Sequence, residues 1–329
     1  MAVVTATRRS IGLTRSRTAR TRLFGYLLLA PSLIYILGLV AVPFVLALWY
    51  SLSDVTVANL SGHFVGLKNY TALVSDPAFL QALKNTIVYT VVSVVINAIL
   101  GTALAFILLA DFKGKRVVRF LILLPWTIPI ALTILSWKWM FDSLYSVINW
   151  VGFNLHVYAF IDWFALNVLP LNHATYIPID TPQGVQWLGR GAIAMGAVIA
   201  VNVWRNFPFA AIILLAGLTS IPPDIIDAAR IDGANAWTRL NHIIVPMIAP
   251  ILFIGLLFSV IFTVTDLTIV YLLTLGGPAN ATQVLAVYAF QIGITSGNLS
   301  QGAATTLFLF PVLFIFSVIF LRQLRKQEL

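Results

Sequence analysis

Hydrophobic side chains recur along this chain in runs long enough to cross about 30 Å of hydrocarbon, which takes roughly 20 helical residues. Six such runs stand out, at 23–50, 85–110, 117–140, 191–217, 244–273 and 303–321. They predict an all-α polytopic membrane protein with six transmembrane helices and both chain ends on one side. A basic segment precedes the first run, as it would in a signal peptide, but its 28 residues far exceed an h-region of about 7–15. It is expected to stay in the protein as a spanning helix, so the domain plan is a basic tail at 1–22 and a transmembrane domain at 23–329.

Composition excludes the alternative of a soluble fold. Of 329 residues, 60% are hydrophobic and only 9% charged, against roughly 25% charged in an average soluble domain. The mean hydropathy of +0.95 points to lipid as the solvent. Cysteine is absent, so no disulfide framework, thiolate metal site or cysteine nucleophile is available. His63, His156, His173 and His242 are far apart and show no metal-ligand spacing, and no metal is expected.

Charge then orients the runs. Of the 20 Lys and Arg residues, six lie in Arg8–Arg22, four in Lys113–Arg119, two are Arg230 and Arg239, and three lie in Arg322–Lys326. Six alternating helices place these segments on one face, and cytoplasmic loops carry the Lys/Arg excess. Both termini and the connections after the second and fourth runs are therefore expected in the cytoplasm. The net charge of +9 records topology and lipid-headgroup contact, not nucleic-acid binding. The other face receives 54–83, 141–190 and 274–302. The middle stretch is rich in Trp150, Tyr158, Trp163, Pro170, Tyr176, Pro178, Pro182 and Trp187, which suits short interfacial helices in a cap. No internal repeat is evident.

Two places carry candidate chemistry. At bilayer depth, Arg205 lies in the fourth run with Asn202 and Asn206, and Asp266 lies in the fifth with Thr263 and Thr265. An unpaired charge there costs about 2.5–3.5 kcal/mol on insertion scales, so it needs a partner or a water-filled cavity. One reading is an Arg205–Asp266 ion pair joining two helices; the other is a hydroxyl-binding site, and both can hold together. Asn97 in the second run reads as a helix–helix hydrogen bond. The second place is the loop at 217–243. There Ser220 is expected to cap a helix opened by Pro222 and Pro223, with Asp224 and Asp227 in its first turns. Ala228 and Ala229 beside Ile225 and Ile226 offer a close-approach surface, Asp232–Gly233 reads as a turn, and a second helix runs from Ala234 to His242.

The stretch DAARIDGA followed by IIVPMIAP resembles the EAA signature of binding-protein-dependent ABC importer permeases. Asp227, Ala228, Ala229 and Gly233 occupy its positions, with Asp in place of Glu and Val245–Pro246 in place of Leu-Pro. GLKNYTALVSDPAFLQALKNTIVYT (66–90), LPWTIPIALTILSWKWMFD (124–142), NVWRNFPF (202–209) and YLLTLGGPANAT (271–282) are similar to the carbohydrate-uptake branch, and to its maltose-permease F-type half in particular. The resemblance implies the type I ABC importer permease fold in a bacterial or archaeal cytoplasmic membrane. It also implies that 217–243 docks in an ATPase subunit as the coupling helix, through Asp224, Asp227, Ala228, Ala229, Arg230, Asp232 and Gly233.

For the solute, the resemblance implies Trp126, Ile130, Asn202, Arg205, Asn206, Phe209, Ser259, Thr263 and Asp266, although the maltose pattern has uncharged groups at 205 and 266. The implied partners are a G-type second permease subunit, two ATP-binding cassette subunits, an extracytoplasmic solute-binding protein, a sugar and the lipid bilayer. No GxxxxGK[ST] loop occurs, and Gly114–Lys115 is followed by Arg116, so ATP and magnesium belong to a partner and no cofactor is expected here. Asp266 is the only acidic residue of 11 within a run, which leaves no proton relay for a stand-alone carrier. Asp142, Asp162, His156 and His173 are too isolated for a membrane-embedded enzyme. An ABC permease for a non-sugar solute remains the alternative.

Overall fold

The computed structural model describes residues 24–167 and 184–327, and among these the regular secondary structure is helical, with two isolated β-bridges, Ser53 with Phe64 and Thr56 with Asn59, in the turns between helices. The basic tail, Pro170, His173, Tyr176, Pro178 and Pro182 fall outside the described residues. Helix α1 spans Phe24–Ser51, and a short α2 (Lys68–Val74) leads into α3 (Pro77–Leu109). The start of α3 follows from local chemistry: Pro77 needs no N–H in the first turn, and the Asp76 carboxylate accepts the Ala78 N–H at 2.8 Å.

The run expected at 117–140 is not a single rod. It divides into α4 (Lys115–Ile122), α5 (Leu124–Thr127) and α6 (Ile130–Met140), with a bend of 90° between the α4–α5 arm and α6. Pro129 is the cause, because a proline ring disfavours helical geometry in the residue before it, and Ile128 stands at ψ 139°. Two short helices follow, α7 (Val147–Asn154) and α8 (Val157–Asn167), as the Trp- and Tyr-rich stretch predicted. Asn149 holds this lobe together. Its amide nitrogen donates to the Val185 carbonyl, and its Oδ1 accepts from both Tyr158 Oη and Trp187 Nε1.

The rest of the chain is α9 (Gly191–Thr219), α10 (Pro223–Ile231), α11 (Ala236–Arg239), α12 (Val245–Val264) and α13 (Thr268–Thr274). It ends with α14 (Leu285–Phe290), α15 (Leu299–Phe308) and α16 (Phe310–Gln327). Five helical units are long and apolar enough to span a membrane, six if the bent pair counts as one.

Helices α3 and α9 form the centre and run parallel. Tyr89 meets Asn202, Gly101 meets Ala210 and Ala211, and Ala105 and Leu108 cluster with Leu214, Leu215 and Leu218. The contact face of α3 repeats every fourth residue through Tyr89, Ser93, Asn97, Gly101 and Ala105, all buried. Gly101 sets the approach, since a Cβ there would stand 3.0 Å from the Ala210 Cβ and 3.3 Å from the Ala211 nitrogen. By contrast α1 exposes nearly all its apolar surface and touches the bundle through contacts such as Phe44 on Phe310, with ring centroids 5.1 Å apart.

Candidate functional site

Three spans meet at a hydrogen-bonded chain at bilayer depth. The Asn202 amide on α9 donates to Tyr89 Oη on α3 at 2.9 Å, and the Tyr89 hydroxyl donates to Asp266 Oδ2 at 2.9 Å. Asp266 lies in the break between α12 and α13. Its Oδ1 accepts the N–H groups of Thr268 and Ile269 at 3.0 and 3.2 Å, which caps α13. Beside this chain is a cavity of about 290 Å³ lined by Trp126, Asn202, Arg205, Asn206, Phe262, Asp266 and Ile269. The Trp126 ring stacks on Phe209 with centroids 5.0 Å apart and planes 7° apart, and Phe209 leans on Phe262. One wall is thus aromatic and the other polar, the arrangement that a ring-shaped polyol needs.

The structure brings together Trp126, Asn202, Arg205, Asn206 and Asp266 as lining residues, with Phe209 directly behind Trp126. Ile130 packs instead against the core cluster around Tyr89 and Ile134. Ser259 and Thr263, four residues apart on α12, do not line the cavity, and their hydroxyls are buried without a partner. Arg205 and Asp266 share the cavity but form no ion pair within 4.0 Å; the acid's oxygens are taken by Tyr89 and the α13 amides. Asn97 corrects the sequence reading. It is 1% exposed, yet neither side-chain amide atom finds a hydrogen-bond partner, so it makes no helix–helix bond. Tyr89, Phe262 and Ile269 had not been singled out; Tyr89 was concealed in an apolar run, though it lies on the four-residue polar ladder of α3.

A larger cavity of about 560 Å³ lies among α1, α12, α14, α15 and α16. Its lining is almost wholly apolar, including Phe44, Ala289, Gly293 and Gly302, and it offers few groups to orient a polyol. The smaller cavity is the one whose lining carries amide, guanidinium and carboxylate groups.

The loop at 217–243 is a helix–turn–helix as expected, α10 then α11, with Gly233 in the turn at φ 79°. A left-handed φ there explains the glycine. Asn235 caps α11 by accepting the Thr238 N–H at 2.8 Å. Two details differ from expectation. Ser220 does not cap α10, because its hydroxyl turns back to the Gly217 carbonyl at 2.7 Å. Ala229 is 6% exposed and packs inward, whereas Asp224, Asp227, Ala228, Arg230, Asp232 and Gly233 are exposed. Asp227 pairs with Arg230 at 2.9 Å. The large apolar residues that face outward are Ile231, 86% exposed, and Trp237, 71% exposed.

A bundle of broken and whole spans, with a polar cavity at bilayer depth and an exposed helix–turn–helix between two spans, defines a multispanning solute permease. Residues 97–326 match the family described as "Binding-protein-dependent transport system inner membrane component". The chain belongs to that family, and it is a membrane protein and a non-catalytic permease subunit of an ABC transporter. It is 32% identical over 311 residues to the trehalose/maltose transport system permease protein MalF of Thermococcus litoralis, covering 94% of this chain and 96% of that one. It is 30% identical to the trehalose transport system permease protein SugA of Mycobacterium tuberculosis, covering 94% and 91%. A crystal structure of a bacterial ABC transporter that imports the acidic polysaccharide alginate superimposes with a TM-score of 0.73 at 18% identity, covering 95% and 99% of the two chains.

Proposed function

We propose that this chain forms one half of the translocation path of a sugar importer and contributes most of its solute site. The observation that carries the reading is the cavity whose lining combines the rings of Trp126 and Phe262 with Asn202, Arg205 and Asn206. Aromatic faces suit the C–H surfaces of a sugar, while amide and guanidinium groups suit its hydroxyls. The relatives named for trehalose and maltose support the same solute class. Ile130, Ser259 and Thr263 act from behind the cavity, in the packing of the spans.

The partners in this reading are a second, G-type permease subunit, two ATPase subunits that hold ATP and magnesium, and an extracytoplasmic binding protein. The alginate importer, solved with a pentasaccharide-bound periplasmic protein, supports the last of these by analogy. Both termini and the 217–243 loop lie in the cytoplasm, where 15 of the 20 basic residues fall. ATP closes the ATPase pair, which draws the coupling helices together and rocks the two permease halves outward-open; hydrolysis resets them. This chain holds no cofactor of its own. The test is uptake by proteoliposomes carrying all subunits, assayed with labelled mono-, di- and trisaccharides. Uptake of at least one sugar requires both ATP and the binding protein; transport by this chain alone without ATP would overturn the reading.

A further inference from the structure

Building on the sugar-import reading above, we infer that the solute carries an anionic group, a carboxylate or sulfonate on a sugar, and that Arg205 receives it. The cavity contains one formal anion and one formal cation, but they are not equivalent. Three of the roughly four lone-pair directions of the Asp266 carboxylate are filled by Tyr89, Thr268 and Ile269. Asp266 is thus committed to holding α3 and α13 in place. Arg205 is half-buried and makes neither an ion pair within 4.0 Å nor a hydrogen bond to any described residue. Its five N–H donors have no acceptor among the described residues.

Asp266 shares the cavity with Arg205 but takes none of its N–H donors, and neutral hydroxyls would occupy those donors only one at a time. A carboxylate or sulfonate matches the guanidinium fork with two parallel charge-assisted bonds. The rest of the cavity selects for a sugar and against a bare anion. Asn206 lines the cavity beside Arg205 and brings an amide that can pair with a ring hydroxyl, while Asn202 is 1% exposed with its nitrogen committed to Tyr89. Trp126 and Phe262 add aromatic surface to the lining. At about 290 Å³ the space is at the small end of ligand pockets, which suits a solute presenting one or two rings at a time.

The test is equilibrium binding of labelled methyl β-D-glucuronide and methyl β-D-glucoside to the full-length chain in lipid nanodiscs at matched ionic strength. These probes differ at the carboxylate and share the ring. The native chain is expected to bind the glucuronide about tenfold or more tightly than the glucoside. Arg205→Gln erases the difference between the two glycosides and Arg205→Lys keeps part of it, while an unchanged thermal unfolding midpoint shows each variant to be folded. Equal binding of the two glycosides, or a preference that survives Arg205→Gln, overturns the anionic assignment and leaves the sugar reading intact. Failure of the native chain to bind the glucuronide overturns the anionic assignment, and the sugar reading then stands or falls on the uptake panel.

Discussion

The cavity around Arg205 and the bent loop at 217–243 both place side chains where their surroundings disfavour them, with opposite sign. In the cavity, polar groups occur at bilayer depth: Arg205 unpaired, Asn202 Oδ1 without a donor, and the Ser259 and Thr263 hydroxyls buried nearby without partners. In the loop, large apolar groups stand outward, with Trp237 and Ile231 more than two-thirds exposed. Asn149 in the outer lobe, by contrast, has its amide nitrogen and oxygen both paired, and a buried polar group without a partner calls for a ligand or a second state. Likewise the exposed apolar pair needs a partner protein. The two regions are connected by one helix: Arg205 precedes Thr219 by 14 residues of α9, about 20 Å at 1.5 Å per residue.

The largest expected effect breaks this connection at the loop. Gly233→Pro cannot adopt φ 79° and removes the N–H that bonds to the Arg230 carbonyl at 3.1 Å. Solute-stimulated ATP hydrolysis by the reconstituted complex should fall by about tenfold or more while membrane insertion persists; retained stimulation would count against a coupling role. Trp237→Ala comes next. Because Trp237 is exposed in the isolated chain, truncation should leave thermal stability within about 0.5 kcal/mol yet weaken association with the ATPase subunits by about 2 kcal/mol. Unchanged pull-down of those subunits would remove it from the interface.

At the cavity end, Tyr89→Phe removes the hydroxyl shared by Asn202 and Asp266 and should cost about 1–3 kcal/mol in unfolding free energy. Asn97→Leu should do the reverse: replacing an unpaired buried amide with an apolar side chain is neutral or stabilising by about 1 kcal/mol, while uptake declines if the amide pairs in the other transport state. A thermal shift downward, or undiminished uptake, would make Asn97 a packing residue. The smallest effect is at Asp227→Asn, whose partner Arg230 is exposed, so the loss is below about 1 kcal/mol and shrinks with added salt.

Much of this arrangement was readable in the chain. The lengths of the apolar runs placed α1, α3, α9 and the α11–α13 unit to within a turn or two at most ends, because spanning a bilayer leaves little freedom in length. The Pro129 break was missed, although its cue was present, because hydropathy averages over a window and is blind to one ring that forbids helical geometry. Five of the nine suggested solute residues line the cavity, since charged and amide side chains at bilayer depth are rare enough to stand out. Tyr89 and Phe262 did not stand out, because an aromatic ring in an apolar run looks like packing until the neighbouring helix is placed. The inward packing of Ala229 was hidden for the same reason: only the folded loop shows which side of a short helix turns inward.

The account depends on the loop at 217–243 meeting an ATPase on the cytoplasmic side. Because the chain has no cysteine, a single introduced thiol reports on that alone. Trp237→Cys, treated with a membrane-impermeant maleimide, should remain unlabelled in intact cells, react in inside-out vesicles stripped of the ATPase, and be shielded again when the ATPase is restored. Labelling in intact cells would place the loop on the opposite face and contradict the account.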